Sequence, residues 1–379
     1  MNSFKLSYDD ISIVPEYITN INSRSECNIY DNNEMLPIFA APMDTVICER
    51  NIIDFIKNKI NVVIPRDIKN LNNIITNDLI YRIKLGLQYN CFIAISMTEA
   101  MEIFVSNKDF LHKNGFSDRD LKICIDLANG HMKSLLDLIK KIKNEFNNVI
   151  IMSGNIANPA TYKEFDKCGC DYVRVGIGGG SACLTSSNTG VYYPYFSLID
   201  ECQKIKKEID GKCKIIADGN IRGYRDIQKA LIRADYVMIG SLFNKAIESA
   251  GKTTYGNFYW SINNHKILNP IKTLLYYGKE VNQFSAKLIN EWKLGKFDLY
   301  KQFYGMSTKI AQKAMNPKKL ALKTSEGIVK TQKVEYSLDG WVKNECDYLR
   351  SAMSYTNSLT LNEYKESDYI KITNIRHNN

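Results

Sequence analysis

Histidine is scarce in this 379-residue chain, which holds only four. Structural and catalytic zinc sites draw on His and Cys clustered at fixed spacings. Cys168 and Cys170 form a C-x-C, but no second pair and no neighbouring histidine completes a site, so a zinc enzyme is not expected. Long apolar runs are missing too: nothing approaches the roughly 18 residues that mark a membrane span. Zinc-finger spacings and single-strand-binding motifs are absent, and no secretory leader is recognisable. Charge of one sign is not massed either. Lys and Arg number 50 against 41 Asp and Glu, a surplus of +9 dispersed through stretches such as "KIKKEIDGKCK" and "NPKKLALK". Such a surplus favours phosphate-bearing ligands. Without a matching motif, neither nucleic acid nor a membrane is expected as a partner. The ten cysteines are expected as free thiols in a reducing cytoplasm.

What is present is a core-forming composition, 45% apolar and 24% charged. Eight short apolar runs recur with room for a helix between them: 36–42, 61–65, 91–96, 122–128, 148–154, 171–178, 214–219 and 235–241. They are rich in Val and Ile and apolar on both faces, as parallel strands covered on both sides are. Helical patterns fill the intervals, among them 132–146, 160–169 and 223–234. Eight alternating units predict an α/β fold, a (β/α)8 TIM barrel. A doubly wound open sheet is the alternative. Against it, the glycine cluster follows the sixth strand rather than the first and lacks the G-x-G-x-x-G spacing.

In a barrel the strand carboxyl ends carry function. Here they bear Asp44, Asp126 with Asn129, Ser153 with Asn155, the glycine-rich loop "GIGGGSACLTSS" with Cys183, then Asp218 and Ser241. The seventh and eighth ends read "ADGN" and "IGS", small residues that let a phosphate approach backbone amides. A type I′ turn is the competing reading of "DGN". A cysteine on an exposed glycine loop is either incidental to a tight turn or a nucleophile against which the loop holds a ligand.

Taken in order, "LSYDDISIVP", "AAPMDTV", "IDLANG", "MSGNIAN", "GIGGGSACLTS", "IADGNIRGYRDIQKAL", "VMIGS", "FYGMS", "TSEG" and "LRSAMSYTN" resemble the inosine monophosphate dehydrogenase and guanosine monophosphate reductase family over more than 300 residues. The resemblance implies an oxidoreductase in which the Cys183 thiolate attacks C2 of a purine nucleoside monophosphate. Thr185 and Glu326 would relay protons. Ser181, Gly219, Gly240, Ser241 and Tyr304 would bind the phosphate, and Asp218 the ribose. Met306, Ser307, Ser325 and Gly327 would line the base pocket. Asp126, Ala128, Asn129 and Gly178 would meet the nicotinamide cofactor. Carbonyls of Gly178, Gly180 and Cys183 would hold K+.

Two features are similar to the reductase branch. Pro65 leads to the third run in about 25 residues, which leaves no space for a regulatory module. Only 18 residues separate Ser307 from Glu326, without the Arg-Tyr pair of the dehydrogenase flap. The reading is therefore a reductase that uses NADPH to convert guanosine monophosphate to inosine monophosphate and ammonia. The alternatives are an inosine monophosphate dehydrogenase, a non-catalytic purine-nucleotide-binding protein, and an enzyme for a related purine nucleotide. One barrel domain over 1–379 with an inserted subdomain at about 244–302, assembled as a homotetramer, completes the expectation.

The chain also departs from the family pattern. Gly179 replaces the loop proline, Leu184 a threonine and Ser186 a common arginine. Asn220 and Ser241 stand where double glycines are usual, "IPRD" replaces a His-Lys motif, and "TGVYYPY" replaces a smaller segment. "AGKTT" at 250–254 is not a P-loop, since Ala246 occupies the first glycine position.

Overall fold

The computed structural model describes residues 4–72, 74–180, 184–256, 286–296, 298–305, 308–310 and 327–372. The eight expected runs form eight parallel strands: β1 (Ile38–Ala40), β2 (Asn61–Ile64), β3 (Phe92–Ile95), β4 (Lys122–Asp126), β5 (Ile150–Ile156), β6 (Tyr172–Val175), β7 (Lys214–Asp218) and β8 (Tyr236–Ile239). Each pairs with the next, and β8 pairs back to β1 through Val237 with Ile38, Met238 with Phe39 and Ile239 with Ala40. That closure makes the fold a (β/α)8 barrel and excludes the open sheet. Helices pack outside it: α1 (Ile52–Lys57), α2 (Leu79–Tyr89), α3 (Met97–Met101), α4 (Lys133–Glu145), α5 (Thr161–Lys167), α6 (Tyr195–Glu208), α7 (Tyr224–Leu231) and α8 (Leu338–Tyr355). The helical patterns at 132–146, 160–169 and 223–234 thus hold with shorter ends. Gly223 stays extended ahead of α7, and the chain turns at Ile232 to enter β8.

Strand alternation sorts the apolar residues into two cores. Ile93, Ile95, Val173, Val175, Ile215 and Ala217 face outward into the layer beneath the helices. Phe92, Ala94, Cys124, Met152, Ile216 and Met238 face the barrel interior. Both faces are buried, which is why the runs read as continuously apolar. At the amino ends of the strands Phe39, Phe92, Tyr172 and Tyr236 close the interior with aromatic pairs whose ring centres lie 5.1–6.0 Å apart. Lys214 Nζ sits over the Tyr172 and Tyr236 rings at 5.2 and 5.6 Å.

Beyond β8 a small antiparallel sheet forms from β9 (Thr253–Gly256), β10 (Asp298–Phe303) and β11 (Lys330–Lys333). Two of its strands come from the described ends of the 244–302 segment. Buried Lys301 anchors this sheet: Nζ donates to Ile247 O at 2.8 Å, Ser249 O at 2.5 Å and Ser249 Oγ at 3.0 Å. Burial pulls its pKa down to about 7, against the nearby Glu248 charge. Three acceptors matched to three N–H donors favour the ammonium nonetheless. Asn244 Nδ2 adds bonds to Thr45 O (2.8 Å) and Gln302 O (3.0 Å), tying the β1 loop to β10.

Among the described residues no helix is long and apolar enough to cross a membrane. Nor do any three of their His, Cys, Asp or Glu side chains gather as a metal site. The nine described cysteines are free, eight of them buried.

Phe39 is the hub of the aromatic floor and 2% exposed. Phe39→Ala is expected to lower unfolding free energy by about 3–5 kcal/mol, read from urea denaturation.

Candidate active site at the mouth of the barrel

The period of two that sends Cys124, Tyr172 and Ile216 inward also sends Asp126, Arg174 and Asp218 inward, one step nearer the strand carboxyl ends. The three meet there. Arg174 Nη1 donates to Asp126 Oδ1 at 2.5 Å; Nε and Nη2 reach Asp218 Oδ2 at 2.9 and 2.8 Å. Asn155 Nδ2 adds a 2.7 Å bond to the same Asp218 oxygen and a 2.8 Å bond to Gly176 O. Among the described residues the hydrogen bonds and ion pairs of Asp218 fall on Oδ2, and Oδ1 has no partner. Burial works to raise the Asp126 carboxyl, but the charges of Arg174 and Arg66 outweigh it and hold its pKa below the usual carboxylate range. Arg174 is likewise penalised by burial, yet Asp218 and Asp126 hold it firmly cationic.

Two neighbouring loops begin beside this cluster. Gly219 and Asn220 both have positive φ, 109° and 56°. The turn reading of "DGN" therefore holds locally, and the departure at 220 has a reason, because asparagine tolerates the left-handed region. The Asn220 N–H donates to Gly179 O at 2.8 Å and joins the turn to the glycine-rich loop. Gly178 has φ 76°, and its carbonyl accepts from Ser186 Oγ at 3.2 Å. Gly180 is exposed, and Thr185 begins a short helix, Thr185–Thr189. Gly240 and Ser241 open the short helix Ser241–Asn244; a Cβ on Gly240 would lie 2.9 Å from Met43 Sδ.

Of the other expected site residues, Ala128 and Asn129 are exposed on the β4 loop, where Asn129 Oδ1 accepts from His131 N at 3.0 Å. Gly327 is buried. Tyr304 is buried and its hydroxyl donates to Asp44 Oδ2 at 2.8 Å, so in this structure the hydroxyl serves a carboxylate. Ser181, Cys183, Met306, Ser307, Ser325 and Glu326 lie outside the described residues.

Sequence reasoning missed Arg174 and gave Asn155 a place at a strand end but no role. Nor did it join Asp44 to a second polar group at the β1 and β2 ends. Asp44 is buried with Oδ1 unpartnered, and Arg66 Nε is buried and unpartnered among the described residues. Asp67 is 4% exposed. Burial first, then the Asp44 charge, push its pKa up to about 6, against Arg66 and Arg82. Burial also raises Asp44, against Lys69 and the Tyr304 bond. The signals were a lone charge inside "YVRV" and the "IPRD" departure.

The family profile described as "IMP dehydrogenase / GMP reductase domain" matches residues 92–262. The chain is 30% identical to the GMP reductase of Buchnera aphidicola subsp. Schizaphis graminum over 388 aligned positions, which cover 97% of this chain and 95% of that protein. It is 33% identical to the GMP reductase of Oceanobacillus iheyensis over 253 positions, 65% of this chain and 72% of that one. With the GMP reductase of Caenorhabditis elegans it shares 29% identity over 253 positions, 66% and 59% of the two chains.

Arg174→Met is expected to cost about 2–4 kcal/mol at neutral pH, because it strands two part-buried carboxylates. In the native chain the Asp126 contribution is present above its unfolded pKa and lost as pH falls through the lower folded one. In the variant the penalty should instead shrink as pH falls toward 5 and Asp126, without the Arg174 charge, takes up a proton. Urea midpoints at the two pH values measure the difference. Asp67 has the opposite sign: its raised folded pKa favours the protonated fold, and that stability is lost as pH rises through about 6. Asp67→Asn should therefore gain stability over the native chain between pH 5 and 7, by roughly 1–3 kcal/mol in the same titration.

Proposed function

The chain belongs to the IMP dehydrogenase / GMP reductase family, and on that premise we propose that it reduces guanosine monophosphate to inosine monophosphate and ammonia with NADPH. The observation that carries the nucleotide reading is Asp218: its charge is pinned by Arg174 and Asn155 on one oxygen, and the other is left for ribose hydroxyls. The names of the relatives and the short interval between Ser307 and Glu326 support the reductive direction.

In this reading the Cys183 thiolate adds to C2 of the base, and the exocyclic nitrogen leaves as ammonia once it has been protonated. Thr185 and Glu326 carry that proton, a contribution of about 10²–10⁴-fold for a positioned acid–base pair. NADPH, when bound, supplies the hydride that reduces C2. The C2–S bond then breaks and returns the thiolate to Cys183. The sum is guanosine monophosphate, NADPH and two protons giving inosine monophosphate, NADP+ and ammonium.

Ser181, Gly219, Gly240, Ser241 and Tyr304 hold the phosphate, and Met306, Ser307, Ser325 and Gly327 enclose the base. For Tyr304 this requires its hydroxyl to turn from Asp44 to the phosphate or to bind both. The exposed Ala128 and Asn129, with Asp126 and Gly178, offer the nicotinamide nucleotide an approach from outside the barrel. The orphaned Arg66 donor suits a ligand oxygen in the mouth. Carbonyls of Gly178, Gly180 and Cys183 hold K+; the Ser186 hydroxyl leaves the Gly178 carbonyl one lone pair for an ion. The reading also takes the chain as one barrel domain with 244–302 as an insertion, assembled as a cytoplasmic homotetramer.

Purified protein with K+, NADPH and guanosine monophosphate is expected to lose the NADPH absorbance and release ammonia in equal amount, with Cys183→Ala inactive. A gain of absorbance with inosine monophosphate and NAD instead would move the chain to the dehydrogenase direction, and silence both ways would leave a binding role.

A further inference from the structure

Glycines of two neighbouring strand-end loops crowd around one phenol. Tyr195 opens α6 and is 1% exposed. Its hydroxyl donates to Ile177 O at 2.9 Å, and its ring centre lies 6.4 Å from that of Tyr8 and 5.9 Å from that of Tyr192. A Cβ added at Gly176 would come within 2.5 Å of Tyr195 Cε1, and one at Gly219 within 3.2 Å of the hydroxyl oxygen. At Gly179 the added carbon would overlap the hydroxyl oxygen and Cζ outright and lie 2.8 Å from Cε2.

These glycines are not equivalent. Gly176 and Gly219 have φ of 135° and 109°, so their backbone alone demands glycine. Gly179 has no such φ. Its backbone is open to ordinary residues, and what keeps a side chain out is Tyr195.

We propose that Tyr195 is a positioning residue for the loop after β6: its phenol fills the place of a side chain at 179 and clamps the loop onto the turn after β7. The Asn220 N–H to Gly179 O bond fastens the same junction from the backbone side. Position 179 is glycine because position 195 is tyrosine. The loop leads directly into Cys183, so the clamp sets the thiol's approach. The inference rests on the proposed function only for that kinetic consequence; the packing relation stands without it.

The test compares Gly179→Ala, Tyr195→Leu, Gly179→Ala with Tyr195→Leu, Tyr195→Phe, and Gly179→Ala with Tyr195→Phe. Three quantities are read: turnover of guanosine monophosphate, the thermal midpoint, and the rate at which a thiol reagent modifies Cys183, followed by peptide mass spectrometry. Alanine at 179 is expected to lower kcat roughly 10- to 100-fold in the otherwise native chain, with KM little changed. In the Tyr195→Leu background the same alanine should cost nothing further, because the overlap is gone. In the Tyr195→Phe background, where the ring keeps Cζ, the penalty should persist. An equal alanine penalty in all three backgrounds, in midpoint and modification rate alike, would overturn the clamp. Rescue by leucine in those two readouts, in a chain that turns over no guanosine monophosphate, would sink the reductase reading and leave the clamp in place.

Discussion

One guanidinium governs the mouth of this barrel. Alternation along β4 and β7 delivers two carboxylates into a space from which water is largely shut out, and each would be costly there alone. Arg174, delivered by the same alternation on β6, lies between them and ion-pairs with both. Because its planar fork has fixed directions, it orients as well as neutralises. Asp218 is thereby held through one oxygen, the other having no partner among the described residues, and Asn155 ties that arrangement to the first glycine of the neighbouring loop. The ribose reading rests on this part-buried triad.

The barrel divides its interior by depth. Its amino-terminal end is closed by interlocking aromatic rings, whose contribution is packing and area removed from water. Its carboxyl-terminal end is charged, and at the β1 and β2 side Asp44 Oδ1 and Arg66 Nε have no partner among the described residues.

How much of this the sequence reveals depends on how local the cause is. The eight strands are legible because burial on both faces makes each run apolar at every step. Helix limits are less so, since the end of α7 is decided by where the chain must turn to reach β8. Asp126 and Asp218 can be placed at strand ends by counting, and Asn220 can be suspected of a turn. Arg174 leaves only the trace of one charge in an apolar run. The role of Asn155 leaves less, because its partners lie 21 and 63 residues away. The unusual tyrosines are visible as a departure, but that Tyr195 answers Gly179 is a fact of three dimensions. Roles for Cys183, Thr185 and Glu326 come from resemblance, and for Cys183 and Glu326 the described residues add no geometry.

Lys301 carries a consequence of a different kind. A metal ion ringed by main-chain oxygens orders a turn only while enough of it is dissolved nearby, because its occupancy follows mass action. Lys301 presents its ammonium to the oxygens of Ile247 and Ser249 from a tether, so the local concentration of the amine is set by the fold, and the proton it carries is what varies with the solution. The turn that follows Gly240 and Ser241 therefore takes its cation from the chain itself. A loop that borrows its cation from solution, as the one before Cys183 is proposed to do, has no such independence.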